Sequence, residues 1–358
     1  MAICLLSLDN ELNDEELERY SRQIILKYIG YSGQLKLKRA RACVVGLGGL
    51  GSIIALQLTA MGFGHIRLVD RDVVERSNLH RQYLYDVESI GLPKVEVAYE
   101  KLKKLNPNVE LEPFPVSVND LTAEEVVKGV DFVVDGFDRI LPRYAVNRAC
   151  MKLGIPYIFG AALETYGNVS TIIPKKTSCL ECIFPSLDDR RLPTCSTVGV
   201  HPSLLSMIAS VEVSEAVNLV LGHPRLAGKL LYLDLVDLTI VEVNVPKAND
   251  CPVCGRAVVK KYPDEILFEE VCGRMGLPTY IVSPTKIMDL NMDSVYERLS
   301  KLGLKATSRG KLGVTFNFQN FTFSILKSGV VIIVGVKTSD EAKSLYNKIK
   351  DMLLVGFT

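Results

Sequence analysis

A chain of 358 residues exceeds the ~150 residues typical of one domain, so two units, or one large unit with an appendage, are expected. With 42 Lys and Arg against 41 Asp and Glu, the net charge of +1 excludes a global electrostatic bias toward nucleic acid or an anionic membrane, and neither is expected as a ligand. Hydrophobic residues at 48% and charged residues at 23% exclude a disordered chain.

The N-terminus, MAICLLSLDNELNDEE, lacks a basic segment and turns acidic, so it does not read as a secretory signal; a cytosolic setting is expected. Asn13 to Lys38 reads as helical, with Asn13 as N-cap, Glu16 completing a capping box, Leu17, Tyr20, Ile24 and Tyr28 on one face, and Gly30 and Gly33 as interruptions. Ala42 to Gly64 holds no charge, yet its six glycines suit a strand, a tight loop and a buried helix better than a membrane span. From there β-branched runs (Ala42–Val45, Ile66–Asp70, Val109–Val116, Asp131–Asp135, Ile155–Phe159) alternate with helical stretches (Leu50–Met61, Lys94–Leu105, Arg143–Leu153). Such alternation predicts a mostly parallel sheet with helices on both faces. Val169–Ile173, an apolar helix Ser203–Leu221 and a hairpin of Leu230–Leu235 with Thr239–Val245 follow. This first unit is expected to span 1–256, with AVVKKYPD at 257–264 as linker and a small α+β unit over 265–358. In the latter, Val314, Phe316 and Phe318 alternate with polar residues, as do Phe321, Phe323 and Ile325, before a third run at Val330–Val336 and a closing helix from Ser339.

Between the first predicted strand and helix stand Gly46, Gly48, Gly49 and Gly51 as GxGGxG, and Asp70 ends the second strand roughly 20 residues on. Glycines admit close approach of backbone to phosphate, a helix N-terminus attracts anions, and an acid at that strand end suits ribose hydroxyls. Alone, this predicts a Rossmann-like nucleotide site whose ordinary ligand is NAD(P), unless the glycines serve tight packing only. Arg81 and Lys94 beyond the second strand, and Asp138 beyond a buried third one, shift the expectation to ATP. Two cations neutralise a triphosphate, and a carboxylate beside phosphates is explained by Mg²⁺. Taken singly, either cation reads equally well as a solvated surface charge.

Arg19-Tyr20-Ser21-Arg22-Gln23-Ile24, GLGGLG, Asp70, Ser77-Asn78-Leu79-His80-Arg81-Gln82, Lys94 and Asp138 together resemble the ThiF/MoeB/ubiquitin-activating-enzyme superfamily of adenylyltransferases, over roughly residues 14–256. The resemblance implies that ATP adenylates the C-terminal glycine of a ubiquitin-fold modifier or sulfur-carrier protein. It implies that Gly49 and Asp70 hold the nucleotide, that Asn78, Arg81 and Lys94 contact phosphates, that Asp138 binds Mg²⁺, and that Arg22 enters the neighbouring subunit's site in a homodimer. Ser77, Leu79, His80 and Arg139 are further expected nucleotide-binding residues; His80 stands where that family commonly has Gln, and Arg139 where Asn is usual, which keeps the charge logic intact and leaves the exact adenine and ribose contacts open. The alternatives from other classes are an NAD(P)-dependent oxidoreductase and a degenerate nucleotide-binding partner subunit.

Cys179-Leu-Glu-Cys182 and Cys251-Pro-Val-Cys254-Gly255 are two CxxC knuckles. A single pair would suit thiol redox chemistry; two suit four tetrahedral thiolates on a structural Zn²⁺. Cys195 is unpaired, in a polar loop ahead of an apolar helix, whereas Cys43 and Cys150 fall in a buried strand and helix. At an ordinary thiol pKa of ~8.5 only ~3% is thiolate at pH 7, so a nucleophile needs nearby cations, here Arg190 and Arg191. The resemblance places a thioester- or persulfide-forming cysteine at Cys195; the alternative is an inert one. His65, His201 and His223 have no ligand-like spacing and read as loop or partly buried residues. Cys272-Gly273-Arg274 and Phe321 to Tyr346 resemble the short C-terminal extension of prokaryotic members, expected to dock a carrier or partner enzyme or to stabilise; no phosphate-cradle-like loop surrounds Cys272, so rhodanese activity is not expected.

Overall fold

A computed structural model describes residues 11–189, 191–255, 267–274 and 277–354. The expected linker at 257–264, Arg190 and the first ten residues lie outside them. The N-terminal helical stretch is broken into α1 (Asp14–Arg19), α2 (Ser21–Ile24) and α3 (Gly30–Arg39). Asn13 and Glu16 form the capping box expected of them. Of the predicted apolar face, Tyr20 is buried, but Leu17 and Tyr28 are exposed; at Tyr28 the chain has left the helical path after Ile24 and the i, i+4 periodicity no longer applies.

The alternating region forms β1 (Arg41–Val45), α4 (Gly51–Met61), β2 (His65–Val69), α5 (Lys94–Leu105), β3 (Glu110–Phe114), α6 (Ala123–Val127), β4 (Phe132–Asp135), α7 (Ile140–Leu153), β5 (Tyr157–Leu163) and β6 (Tyr166–Ile172). After α8 (Leu180–Ile183), α9 (Cys195–Val198) and α10 (Pro202–Leu221), the hairpin β7 (Lys229–Asp234) and β8 (Thr239–Asn244) completes an eight-stranded sheet ordered β3-β2-β1-β4-β5-β6-β7-β8. The strands from β3 to β5 pair in parallel and those from β5 to β8 antiparallel. One apolar core lies between the sheet and α3, α4, α5 and α10, and a second between the opposite face and α6 and α7. This is the α/β layering that the alternation predicted. The only described helix long and apolar enough to cross a membrane is α10; more than half of it is buried in the first core, and it carries buried Glu212 and Glu215.

The remaining strands, β9 (Leu267–Arg274), β10 (Leu277–Ser283), β11 (Ala306–Arg309), β12 (Gly313–Phe318), β13 (Phe321–Leu326) and β14 (Val331–Val334), form an antiparallel sheet ordered β11-β12-β13-β14-β10-β9. Helices α11 (Met292–Lys301) and α12 (Ser339–Ile349) cover one face with a core around Phe316, Phe323 and Ile333. The other face is covered too: Val73 of the first unit clusters with Ile281, Leu326, Val330 and Ile332. Thr315 and Ser324, polar positions in the alternating pattern, are therefore buried, with their hydroxyls bonded to each other and Thr315 Oγ1 donating to the Gly91 carbonyl.

Candidate functional site

The chain order reverses where β1 neighbours both β2 and β4, and the glycine loop leaves the carboxyl end of β1 at this switch point, where open α/β sheets bind ligands. Gly46 has φ +86, and its N–H donates to the Val69 carbonyl at 2.8 Å. A Cβ on Gly51 would lie 1.7 Å from the Gly46 carbonyl oxygen, so the turn into α4 closes only with glycine there. Gly48 and Gly49 stay partly accessible at the N-terminus of α4. Nearby, the Ser52 hydroxyl in the first turn of α4 and the Gln82 Oε1 are buried without a partner among the described residues. A helix N-terminus beside unmet polar groups suits a phosphate-bearing ligand.

Asp70 braces this loop: one carboxylate oxygen accepts from Leu47 N and the other from Asp72 N, both at 2.6 Å. Burial raises its pKa, and Lys94 acts against that. Lys94 is only 5% exposed, with its Nζ 3.3 Å from an Asp72 oxygen, so a buried cation sits under the loop. Arg81 donates to the Ser77 carbonyl at 2.8 Å, and its guanidinium lies 3.5 Å from His80 Nε2. Asn78 is buried and accepts from Glu75 N at 3.1 Å; Ser77 and His80 are exposed, and Leu79 packs on the first core. Asp138 is exposed just beyond β4, and Arg139 beside it pairs with Asp189 at 3.5 Å and Glu269 at 3.2 Å. Burial works against the charge of Arg71; Glu269, Asp72 and Asp138 outweigh it and raise the arginine's pKa.

Arg22 is a predicted residue that one chain does not bring to the crevice. Its neighbour Gln23 donates to the carbonyl of Met61, the last residue of α4, at 3.0 Å. The glycine loop is at the other end of that 11-residue helix, about 16 Å away at 1.5 Å per residue. Arg22 itself is exposed. Cys195 heads the four-residue helix α9, and the expected exposure of its side chain lies outside what is described; Arg191 is exposed. Cys43 and Cys150 are fully buried as expected; burial pushes the Cys43 thiol up to about 12 and Cys150 well above its ordinary value, leaving both inert. His65 is buried near Glu112, and His201 caps α10 by accepting from Ser203 N.

Two charged groups beside the crevice escaped the motifs. Buried Asp135 accepts from Arg143 Nε at 2.9 Å, from Tyr157 Oη at 2.6 Å and from Phe137 N at 2.8 Å, and this network holds the turn that carries Asp138. Behind it Glu212 is fully buried, with both oxygens unpartnered among the described residues. Burial pushes its carboxyl well above the usual range, and Asp135 adds to that. An acid within the apolar run of α10 was the available signal. The second group, Arg71 with Glu269, spans 198 positions, and no local pattern announces it.

Away from the crevice the two CxxC knuckles converge. Cys179 and Cys251 sulfurs are 3.5 Å apart, those of Cys182 and Cys254 3.3 Å, those of Cys179 and Cys182 4.0 Å, and all four lie within 4.8 Å of one another. Tetrahedral thiolates at ~2.3 Å from Zn²⁺ stand about 3.8 Å apart, so this cluster fits a metal ion. Burial and the neighbouring thiols push the Cys179 thiol up, and a bound cation would reverse that pressure.

Comparison with known proteins points to one family. The family model described as ThiF family matches residues 20–253. The sulfur carrier protein adenylyltransferase of Thermus thermophilus is 39% identical over 266 residues, covering 72% of this chain and 97% of that protein. The sulfur carrier protein ThiS adenylyltransferase of Bacillus subtilis is 31% identical over 339 residues, covering 92% and 98%, so that likeness reaches into the second sheet. Among solved structures, Escherichia coli MccB with ATP has a TM-score of 0.59 at 26% identity, covering 66% of this chain and 75% of that one. Glycine loop, buried lysine, acid beyond the third strand of the crevice and converging knuckles thus occur in one framework, and the chain is a member of the ThiF family.

Proposed function

We propose that the protein uses ATP to adenylate the C-terminal glycine of a ubiquitin-fold modifier or sulfur-carrier protein. The observation that carries this reading is the gathering of the glycine loop, buried Lys94, Arg81 and the acid Asp138 around the carboxyl ends of β1, β2 and β4. Gly49 and Asp70 hold the nucleoside end, Asn78, Arg81 and Lys94 face the phosphates, and Ser77, Leu79, His80 and Arg139 shape the surroundings. The carrier carboxylate attacks the α-phosphorus, the bond to pyrophosphate breaks, and the cationic side chains stabilise the charge that develops on the leaving phosphates. Asp138 would hold Mg²⁺, whose chemistry is to neutralise phosphate charge. Cys195 then attacks the acyl carbon as thiolate; a C–S bond forms, the C–O bond to AMP breaks, and AMP leaves.

The four-cysteine cluster would hold Zn²⁺ as a structural clamp between the α8 segment and the end of the first unit. A homodimer brings Arg22 of one copy to the other's crevice. The edge strand β8 and its turn expose Val236, Leu238, Ile240 and Val243, an unpartnered apolar rim suited to a protein partner. Among the described residues, Cys43, Cys150 and the four knuckle cysteines are free of disulfides, which fits a reducing, cytosolic compartment. The names of the relatives, adenylyltransferases of sulfur carrier proteins, support the substrate class.

The test incubates the protein with ATP, Mg²⁺ and candidate ubiquitin-fold proteins, follows ATP–pyrophosphate exchange, and compares mass spectra with and without reductant. Carrier-dependent exchange and a reductant-labile adduct are expected. Micromolar affinity for NAD with no binding of ATP would favour the oxidoreductase instead.

A further inference from the structure

The second sheet is fastened to the nucleotide crevice itself. Val73, on the segment that follows Asp70, lies in the buried cluster of that sheet's inner face. Glu96, in the first turn of the helix that Lys94 begins, accepts from the amides of Lys311 at 2.7 Å and Leu312 at 2.8 Å. The third contact is ionic. Arg71, next to Asp70, donates through both terminal nitrogens to Glu269 of β9 at 2.9 and 3.2 Å, while Arg139, next to Asp138, donates to the same carboxylate at 3.2 Å. Arg71 follows β2 and Arg139 follows β4, the two strands that flank β1, so one carboxylate spans the crevice that opens over the glycine loop. Ser117, beyond β3, takes a further hydrogen bond from Arg71 at 2.9 Å and fixes the guanidinium plane. Burial disfavours the charge on Glu269, but the two arginines prevail and keep its carboxyl below the usual range.

We propose that Glu269 is a positioning residue of the nucleotide site, contributed by the second sheet: it orients Arg71 and Arg139 so that they wall the nucleoside end of the bound ATP. This rests on the nucleotide reading above. Two guanidinium groups converging on one point repel each other, and a bidentate carboxylate between them sets both their spacing and their planes. Without it the arginines turn to solvent or to the phosphates, and the wall loses its shape. Asp70 marks the ribose position by its place at the end of β2, which puts its neighbour Arg71 at the nucleoside end rather than at the phosphates.

The experiment measures ATP binding by calorimetry, and KM and kcat for ATP in pyrophosphate exchange, for wild type, E269Q, E269A and E269D, with thermal unfolding of each. The expected result is ATP affinity weakened about tenfold in E269Q and E269A. KM should rise in step, kcat at saturating ATP should fall far less, and E269D should recover part of the affinity. Unchanged ATP affinity in E269Q and E269A overturns the proposal even if both melt earlier, since a merely structural contact lowers stability without a selective change in KM. If a variant fails to fold, R71K keeps the question open to test, because it retains charge but loses the bidentate fork; wild-type affinity in R71K overturns the proposal. Wild-type protein that binds ATP with the expected dependence on Glu269, yet exchanges pyrophosphate with no carrier, overturns the adenylation reading and leaves the positioning role standing. No ATP binding by wild type overturns both.

Discussion

In the proposed function, adenylation rests most directly on Asp138 and Arg81, one exposed beyond β4 and the other anchored to the Ser77 carbonyl. Loss of one preorganised charged group at a developing charge costs ~2.7–4 kcal/mol, about 10²–10³ in rate. D138A and R81A should each lower carrier-dependent pyrophosphate exchange by that factor, read at saturating carrier, with the melting temperature little changed because both side chains are accessible. Glu212 makes the opposite kind of prediction. Its carboxyl is raised by burial, so the folded state favours the protonated acid. Stability from such a group is complete below the unfolded value of ~4.3 and is lost as pH rises through the folded value. E212Q should therefore unfold at a higher temperature than wild type at pH 8, with the difference shrinking toward pH 4.5. Parallel melting curves of the two proteins across that range would contradict it. The glycines, Asp70, Lys94 and the CxxC pairs were legible because each belongs to a short motif whose spacing carries its physics. Glu269 and Asp135–Arg143–Tyr157 were not, since their meaning comes from partners brought up by the fold.

At the scale of elements, sequence periodicity located most helices and strands of the parallel half to within a few residues, as with Lys94–Leu105, where predicted and observed limits coincide. β9, β10, β11 and α11 escaped; β9, for one, reads LFEEVCGR, which mixes polar and apolar residues without strict alternation. Helix α5 shows how one element serves two sites: its first residue is Lys94, and Glu96 on the same turn receives two amides from the turn between β11 and β12. Hydrogen bonds to a charged acceptor contribute ~1.5–3 kcal/mol. E96A should destabilise the protein by ~2 kcal/mol and speed amide exchange at Lys311 and Leu312 above that of the β13 amides. Equal protection of both segments in wild type and variant would show that the turn does not depend on this carboxylate.

For the whole molecule the cysteine cluster is a clamp across 72 positions, joining α8 to the segment after β8 through four sulfurs within 4.8 Å of one another. Zinc at such sites binds with ~10–16 kcal/mol of apparent free energy in small modules. Metal analysis of protein purified without chelator should find one zinc per chain. Removing it, or introducing C251S, should lower the melting temperature and loosen the knuckles; full stability in metal-free protein would refute the clamp. The second sheet acts at the same scale, burying Val73 and bridging the crevice through Glu269, so its removal should weaken ATP binding as well as expose an apolar face.

What the amino-acid sequence by itself determined is whatever depends on neighbours in the chain: the strand–loop–helix that only glycines can close, the alternation that demands a layered sheet, the pairs of thiols at ligand spacing. Its motifs sufficed to name the chemistry. Tertiary structure alone decided which distant charges share a crevice, that Arg22 lies a helix length from its own chain's glycine loop, and that the second face of the antiparallel sheet, apolar at Ile281 and Ile332 and polar at Thr315 and Ser324, is buried against the segment after Asp70. Such contacts depend on three-dimensional closure between residues as far apart as Arg71 and Glu269, and a side chain's local pattern is the same whether its partner is water or a carboxylate 198 positions away.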